Sequence, residues 1–211
     1  MTLSFSQMMF ASELCVLVVQ AVSTRTTGAT RIPNLQTNKA DIVIPTLSVT
    51  PERAQVIDFS KPYAGLVSVI GAPAKSPIND WAELKGQSVT VTRGTTQDSE
   101  LTKLAGEHGF TVTRYDDDAT MVTAAVSGQA KAIATSATLV KQIHDKNPTL
   151  AFEPKITIRV LNLAIGVNKN EPELLAKLDE WVVANLQNGK LNEIYQKYHG
   201  TPLPKEIVDA K

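Results

Sequence analysis

The residues best placed to do chemistry lie in Thr50-Pro51-Glu52-Arg53. Thr50 reads as a helix N-cap, Pro51 as the first helical residue and Glu52 as a first-turn acid. Arg53 then takes the third helical position. There the positive end of the peptide dipoles costs a cation about 0.3–1 kcal/mol. A residue that breaks a local rule marks a functional position more often than not. A guanidinium also grips a carboxylate through two parallel hydrogen bonds. Thr46 and Ser48 lie on the loop before this helix. They offer hydroxyl and backbone groups to an ammonium and a carboxylate, although alone such residues are ordinary turn formers. Gly94-Thr95-Thr96 repeats the pattern: a strand, a glycine turn and a helix start that presents N–H groups to an anion. Thr95 with Asp98 three residues on also satisfies simple capping, the plain alternative.

The elements that must carry these residues are readable from residue 25 onward. A short helix is expected over Arg31–Thr37, with Pro33 in its first turn, then a strand-type run over Asp41–Ile44. An aromatic turn, Asp58–Tyr63, leads to a strand over Leu66–Ala72. Next come a short helix at Trp81–Gly86, a strand at Ser88–Thr92 and a helix to about His108 that Gly109 ends. Strand 110–115, helix 119–127, strand 131–135 and helix 137–146 follow. This alternation implies a parallel sheet. The last block is an extended run over 156–167, a helix over 171–186 and a helix over 191–198. Leu174, Leu175, Leu178, Trp181, Val182 and Leu186 share one face of the 171–186 helix.

Bulk properties narrow the classes. Hydrophobic residues make up 43% and charged residues 20%, so the chain reads as globular rather than disordered. Lys+Arg and Asp+Glu both number 21, so no global field draws it to nucleic acid or an anionic membrane. The single cysteine, Cys15, cannot form an internal disulfide. His108, His144 and His199 are scattered near helix ends and read as solvated, so neither a metal nor a cofactor is expected. The run 8–22 is apolar but interrupted by Glu13, with nothing basic before it. It is a poor secretory signal and too short to span a membrane. It reads instead as a remnant helix followed by a strand-like run.

The string from Asp41 to Arg53, followed by Asp58-Phe59-Ser60-Lys61-Pro62-Tyr63, resembles the signature of the polar amino acid-binding proteins, solute-binding protein family 3. Trp81–Gly86, Val89–Thr96, Gly166-Val167 and Leu191–Tyr198 continue the resemblance, which covers about residues 25–204. It implies an α/β fold of the two-lobe periplasmic binding-protein type (type II), each lobe a mostly parallel sheet flanked by helices. Lobe 1 would comprise 1–71 and 163–211, and lobe 2 would be 72–162. Hinge strands are expected at 68–74 and 160–167, with a ligand between the lobes. The implied function is capture of a small amino acid for the membrane permease of an ABC transporter. A periplasmic, monomeric protein with no nucleic acid partner goes with it.

The resemblance also implies roles. Arg53 would hold the ligand's α-carboxylate, Thr46 and Ser48 would contact the ligand, and the threonines Thr95 and Thr96 would approach from lobe 2. Ser136 departs from the pattern, because the family usually has an aspartate there to pair with the α-ammonium. A hydrogen bond to a charged group contributes about 1.5–3 kcal/mol, so a neutral hydroxyl there is expected to cost one or two decades of affinity. The family's opening strand and first helix have no counterpart before Arg25, so lobe 1 is expected to be incomplete. Phe59 and Tyr63 read as packing residues near the cleft edge, and Trp81 and Trp181 as core. A dehydratase-type enzyme on the same scaffold, or a sensing domain, is the competing reading. The enzyme needs a general acid in the cleft, and Asp98 and Asp116–Asp118 read better as caps and solvated turns.

Overall fold

The computed structural model describes residues 23–44 and 46–209. Cys15, the apolar run at 8–22 and Pro45 lie outside the described residues.

The described elements follow in chain order. They are α1 (Arg31–Gln36), β1 (Ile42–Val43), α2 (Pro51–Ala54), β2 (Asp58–Phe59), β3 (Ala64–Pro73), a 3-10 turn (Ala82–Leu84), β4 (Ser88–Thr92) and α3 (Thr96–His108). The chain continues through β5 (Thr111–Tyr115), α4 (Asp118–Val126), β6 (Ile133–Ser136), α5 (Ala137–Lys146), β7 (Phe152–Leu163) and β8 (Gly166–Val167). It ends in α6 (Pro172–Gln187), α7 (Lys190–His199) and α8 (Lys205–Val208). The punctuation residues act as their chemistry requires. Gly109 closes α3 with φ of 69°, and Gly200 closes α7 with φ of 75°, a conformation without steric cost only for glycine.

The chain forms two compact units. Among the described residues, unit 1 comprises 23–26, 30–44, 46–65 and 161–209; unit 2 comprises 66–160 with the short segment 27–29. The chain therefore leaves unit 1 within β3 and returns to it within β7.

Unit 2 contains a five-stranded sheet of order β5-β4-β6-β3-β7. β4 pairs in parallel with β5 and β6, and β3 runs antiparallel to β6. Successive side chains point to opposite faces of a strand, and the packing follows. Ile70, Ala132 and Ala134 join Val89, Val91, Leu84, Leu101 and Ile156 in one core layer. Their neighbours Val69 and Ile133 join Met121, Val140 and Ile143 in the other. Trp81 sits at the margin of the first layer, stacked on His108 and Phe110 with ring centroids 5.3 and 6.2 Å away.

Unit 1 has a small sheet of order β1-β8-β2, and among the described residues both pairings are antiparallel. Among the described residues, β4 pairs in parallel with β5 and β6, and β8 from the late part of the chain forms the centre of the unit 1 sheet. Leu35, Val43, Leu47 and Ile57 form the unit 1 core with Ile32 and Phe59 against them. Each such apolar side chain contributes roughly 1.5–3 kcal/mol on burial. On α6, Leu178, Val182 and Leu186 are buried, whereas Trp181 is only half-buried.

The three histidines lie in the last turns of α3, α5 and α7, as expected, but they are engaged rather than solvated. His108 stacks on Trp81, a ring nitrogen of His144 lies 3.2 Å from the Phe152 carbonyl oxygen, and His199 stacks on Tyr195 at 4.0 Å. Burial lowers the His199 pKa.

Candidate anion site at the Thr46–Arg53 loop

The unit 1 site is built on a buried peg. Leu47 is fully buried and lies between Thr46, which is exposed, and Ser48, which is 3% exposed. Gly166 on β8 makes room for it: a Cβ there would lie 2.5 Å from the Leu47 Cδ2. The backbone is held as well. Val49 N–H donates to the Asn162 carbonyl, Ala164 N–H donates to the Leu47 carbonyl, and Ser48 bridges to Leu163. The loop is therefore fixed by the core beneath it and by the end of β7 beside it.

Arg53 occupies its expected position. Thr50 caps α2, accepting the Arg53 N–H at 3.3 Å, with Pro51 at the first helical position. α2 is only one turn long, so its dipole is weak. Burial is what most disfavours the Arg53 charge, followed by the nearby Arg31 charge, with Glu52 opposing both; together they lower the pKa to about 10. The group stays cationic at neutral pH. Its Nη1 donates to the Ser48 carbonyl at 3.0 Å, which aims the half-buried guanidinium along the loop.

Two further residues belong to this site. Arg31 Nη1 donates to the Thr46 carbonyl at 3.0 Å. Tyr63, 6% exposed, donates its hydroxyl proton to the Ile44 carbonyl at 2.7 Å. Burial pushes the Tyr63 phenol well above its usual range, with the Arg31 charge and the Thr46 N–H pulling the other way. Thr46 itself has φ of 40°. A β-branched residue in that left-handed region stores of order 1–3 kcal/mol. Tyr63 was expected to be packing alone, and Arg31 carried no role. The signal for Arg31 was present: it too is a cation at a helix start, the rule breach that singled out Arg53.

In unit 2, Thr95 caps α3 and Ser136 caps α5. Both residues follow the carboxyl ends of adjacent parallel strands, where open α/β sheets bind ligands. The Thr95 hydroxyl accepts the Asp98 N–H at 3.2 Å and donates to the Thr92 carbonyl at 2.8 Å. Its single proton is thereby committed. The Thr96 hydroxyl is half-buried and donates to the Gln97 Oε1 at 3.2 Å. Ser136 Oγ accepts the Leu139 N–H at 3.1 Å, and the first turn of α5 holds no acid. Asp98 accepts the Gly94 N–H at 3.0 Å and Arg114 Nε at 2.7 Å. Asp117 caps α4, Asp116 pairs with Arg93, and Asp118 accepts the Thr92 hydroxyl. These carboxylates serve as caps and ion-pair partners.

Thr46, Ser48 and Arg53 are thus brought together in unit 1, while Thr95, Thr96 and Ser136 lie at the carboxyl ends of β4 and β6 in unit 2.

Comparison with known proteins agrees with this architecture. The family model for bacterial extracellular solute-binding proteins, family 3, matches residues 9–201. The glutamine-binding protein GlnH of a Bacillus subtilis ABC transporter is 27% identical over 173 residues. That match takes in 82% of this chain, which spans only 62% of the length of GlnH. The crystal structure of the solute receptor for L-cysteine of Neisseria gonorrhoeae superposes with a TM-score of 0.82 at 27% identity, covering 92% of this chain and 79% of that one. An ancestral amino acid-binding protein described as a precursor of cyclohexadienyl dehydratase gives a TM-score of 0.80 at 26% identity, covering 92% and 84%. With the family model matched over most of its length, this chain belongs to the bacterial extracellular solute-binding proteins, family 3.

Proposed function

We propose that the protein captures an amino acid by its α-carboxylate at Arg53 and delivers it, outside the cytoplasm, to the permease of an ABC importer. The observation that carries this reading is the Arg53 guanidinium, kept charged despite the cost of burial and aimed by the Ser48 carbonyl. A half-buried guanidinium aimed along the loop is suited to receive a carboxylate through paired hydrogen bonds. Thr46 and Ser48 border the carboxylate. In unit 2, the Thr96 hydroxyl and the backbone N–H groups after Gly94 serve as further contacts, with Thr95 acting through its backbone. Ser136 offers the α-ammonium a neutral oxygen that already caps α5. The ammonium is therefore held weakly, and affinities fall a decade or two below those an aspartate there would give.

The test is a thermal-shift and calorimetric screen against the common amino acids, with prephenate and arogenate added and assayed for turnover. The expected result is stabilisation by one or a few amino acids without chemical change. Conversion of prephenate or arogenate would favour the enzymatic reading, which the likeness to a dehydratase precursor keeps in view. A screen in which no amino acid stabilises the protein sinks the proposal.

A further inference from the structure

We propose that Lys169 is a positioning residue for ligand binding, holding the carboxyl end of α2 in place and so fixing the reach of Arg53. The inference rests on the reading of Arg53 as the carboxylate anchor.

α2 needs support from outside itself. It has four residues, and a single turn loses more backbone freedom than its own hydrogen bonds return. At the amino end, Thr50 accepts the Arg53 N–H. At the carboxyl end, the Arg53 carbonyl accepts the Val56 and Ile57 N–H groups, both at 3.0 Å. The next carbonyl, that of Ala54, accepts Lys169 Nζ at 2.9 Å. A cation is well placed there, because the last carbonyls of a helix carry its negative end. The same ammonium pairs with the Asp58 carboxylate on β2. Lys169 thus ties the residue after Arg53 to the strand that follows α2, and Asp58 balances its charge.

The ammonium stands on a fixed base. Lys169 N–H donates to Asn168 Oδ1 at 2.9 Å, and Asn168 Nδ2 donates to Asn38 Oδ1 at 3.0 Å. Both residues follow β8, whose Val167 pairs with Asp58 and whose Gly166 seats Leu47. β8 therefore serves the site at two points: beneath the loop through Gly166, and at the end of α2 through Lys169. The bond from Arg53 Nη1 to the Ser48 carbonyl joins these two supported parts. The Lys169 and Asp58 side chains are 39% and 34% exposed, so the ion pair itself adds little stability. The contact with the Ala54 carbonyl is what sets where α2 ends.

Two readouts test this. The first needs no ligand. By amide exchange in NMR, the Val56 and Ile57 N–H groups are protected in the wild type. They exchange at least about tenfold faster in Lys169→Met, while Val182 in α6 and Thr90 in unit 2 are unchanged, marking a local opening. Lys169→Arg stays within about threefold of the wild type, because a guanidinium can donate to the Ala54 carbonyl and to Asp58 together. Amides at 56 and 57 that are unprotected in the wild type, or indifferent to Lys169→Met, overturn the proposal. So does acceleration of all these amides together, which would mark plain destabilisation.

The second readout is affinity for the best amino acid from the screen. Lys169→Met weakens it about tenfold, and Lys169→Arg restores it to within about threefold of the wild type. Unchanged affinity in Lys169→Met, or an equal loss in Lys169→Arg, overturns the proposal. If no amino acid binds the wild type, the transport reading fails, and the exchange experiment still decides whether Lys169 holds α2.

Discussion

The two strand-to-helix turns, one in each unit, share a cap and differ at one residue. Thr50 accepts the backbone N–H of Arg53, and Thr95 accepts that of Asp98. In unit 2 the third helical residue is an acid. It reaches back to the Gly94 N–H, one residue before the cap, and pairs with Arg114. In unit 1 the same position is a cation, half-buried and near a second cation's charge. Unit 2 satisfies its turn internally, above a thirteen-residue helix. Unit 1 places its cation beside the Arg31 charge, above a single helical turn. The lesson is that local frustration, rather than the strand-turn-helix shape, marks where a ligand's charge enters.

The largest expected effect comes from removing that frustration. Arg53→Met is expected to weaken amino acid binding by roughly two orders of magnitude, given about 1.5–3 kcal/mol for each charge-assisted hydrogen bond. The ligand-free melting temperature should move little, since relief of the buried charge offsets the loss of the donor to the Ser48 carbonyl. Calorimetry and thermal unfolding on one preparation separate the two, and a large loss of ligand-free stability with intact affinity would refute the comparison. The pH dependence sharpens it. The folded pKa of Arg53, about 10, lies below its unfolded value, so its charge costs stability below about pH 10, and the cost fades as pH rises from there toward the unfolded value. A bound carboxylate offsets this cost only while the cation exists. Ligand-induced stabilisation through Arg53 should therefore persist across the neutral range and decline above about pH 10.

Gly166→Ala tests the peg beneath the loop. The new Cβ would meet Leu47 at 2.5 Å, with Ile57 and Leu35 each 3.3 Å away. Overpacking of this kind costs typically 1–3 kcal/mol. Displacing Leu47 also shifts Thr46 and Ser48, so affinity should fall about tenfold. Unit 2 glycines have no such link to the loop. Gly94→Ala, with φ of 72° and Ala29 backbone within 3 Å, should destabilise unit 2 through its own strain. Amide exchange resolved by unit would tell the two apart.

Much of this was legible in the sequence because it is local. The caps at Thr50 and Thr95, the stops at Gly109 and Gly200 and the span of α5 depend on residues within a turn of one another. The contribution of Tyr63 was not legible. Its hydroxyl reaches the Ile44 carbonyl across nineteen positions, and periodicity carries no information about such a partner. The seat of Leu47 against Gly166 is equally non-local, since it requires β8 to return to the centre of the unit 1 sheet. Nor was the weight of burial over dipole at Arg53 available, because that depends on the enclosure of the side chain and on α2 ending after four residues.

The smallest expected effect lies on the unit 2 side and is the most exacting check on the contrast. Asp98→Ala removes the acceptor of the Gly94 N–H and the partner of Arg114, whose side chains are 13% and 29% exposed. Loss of a capping interaction costs about 0.5–2 kcal/mol, and for a chain of this size each kcal/mol moves the melting temperature by roughly 2–4 °C. Stability should therefore drop by a few degrees while affinity changes less than about threefold. Thr95 keeps its own bond to the Thr92 carbonyl, and the helix start stays in place. If Asp98→Ala instead abolished binding at unchanged stability, the unit 2 acid would be a ligand group. The two turns would then form a pair of opposite charges suited to the two ends of a zwitterion, rather than a site and a structural cap.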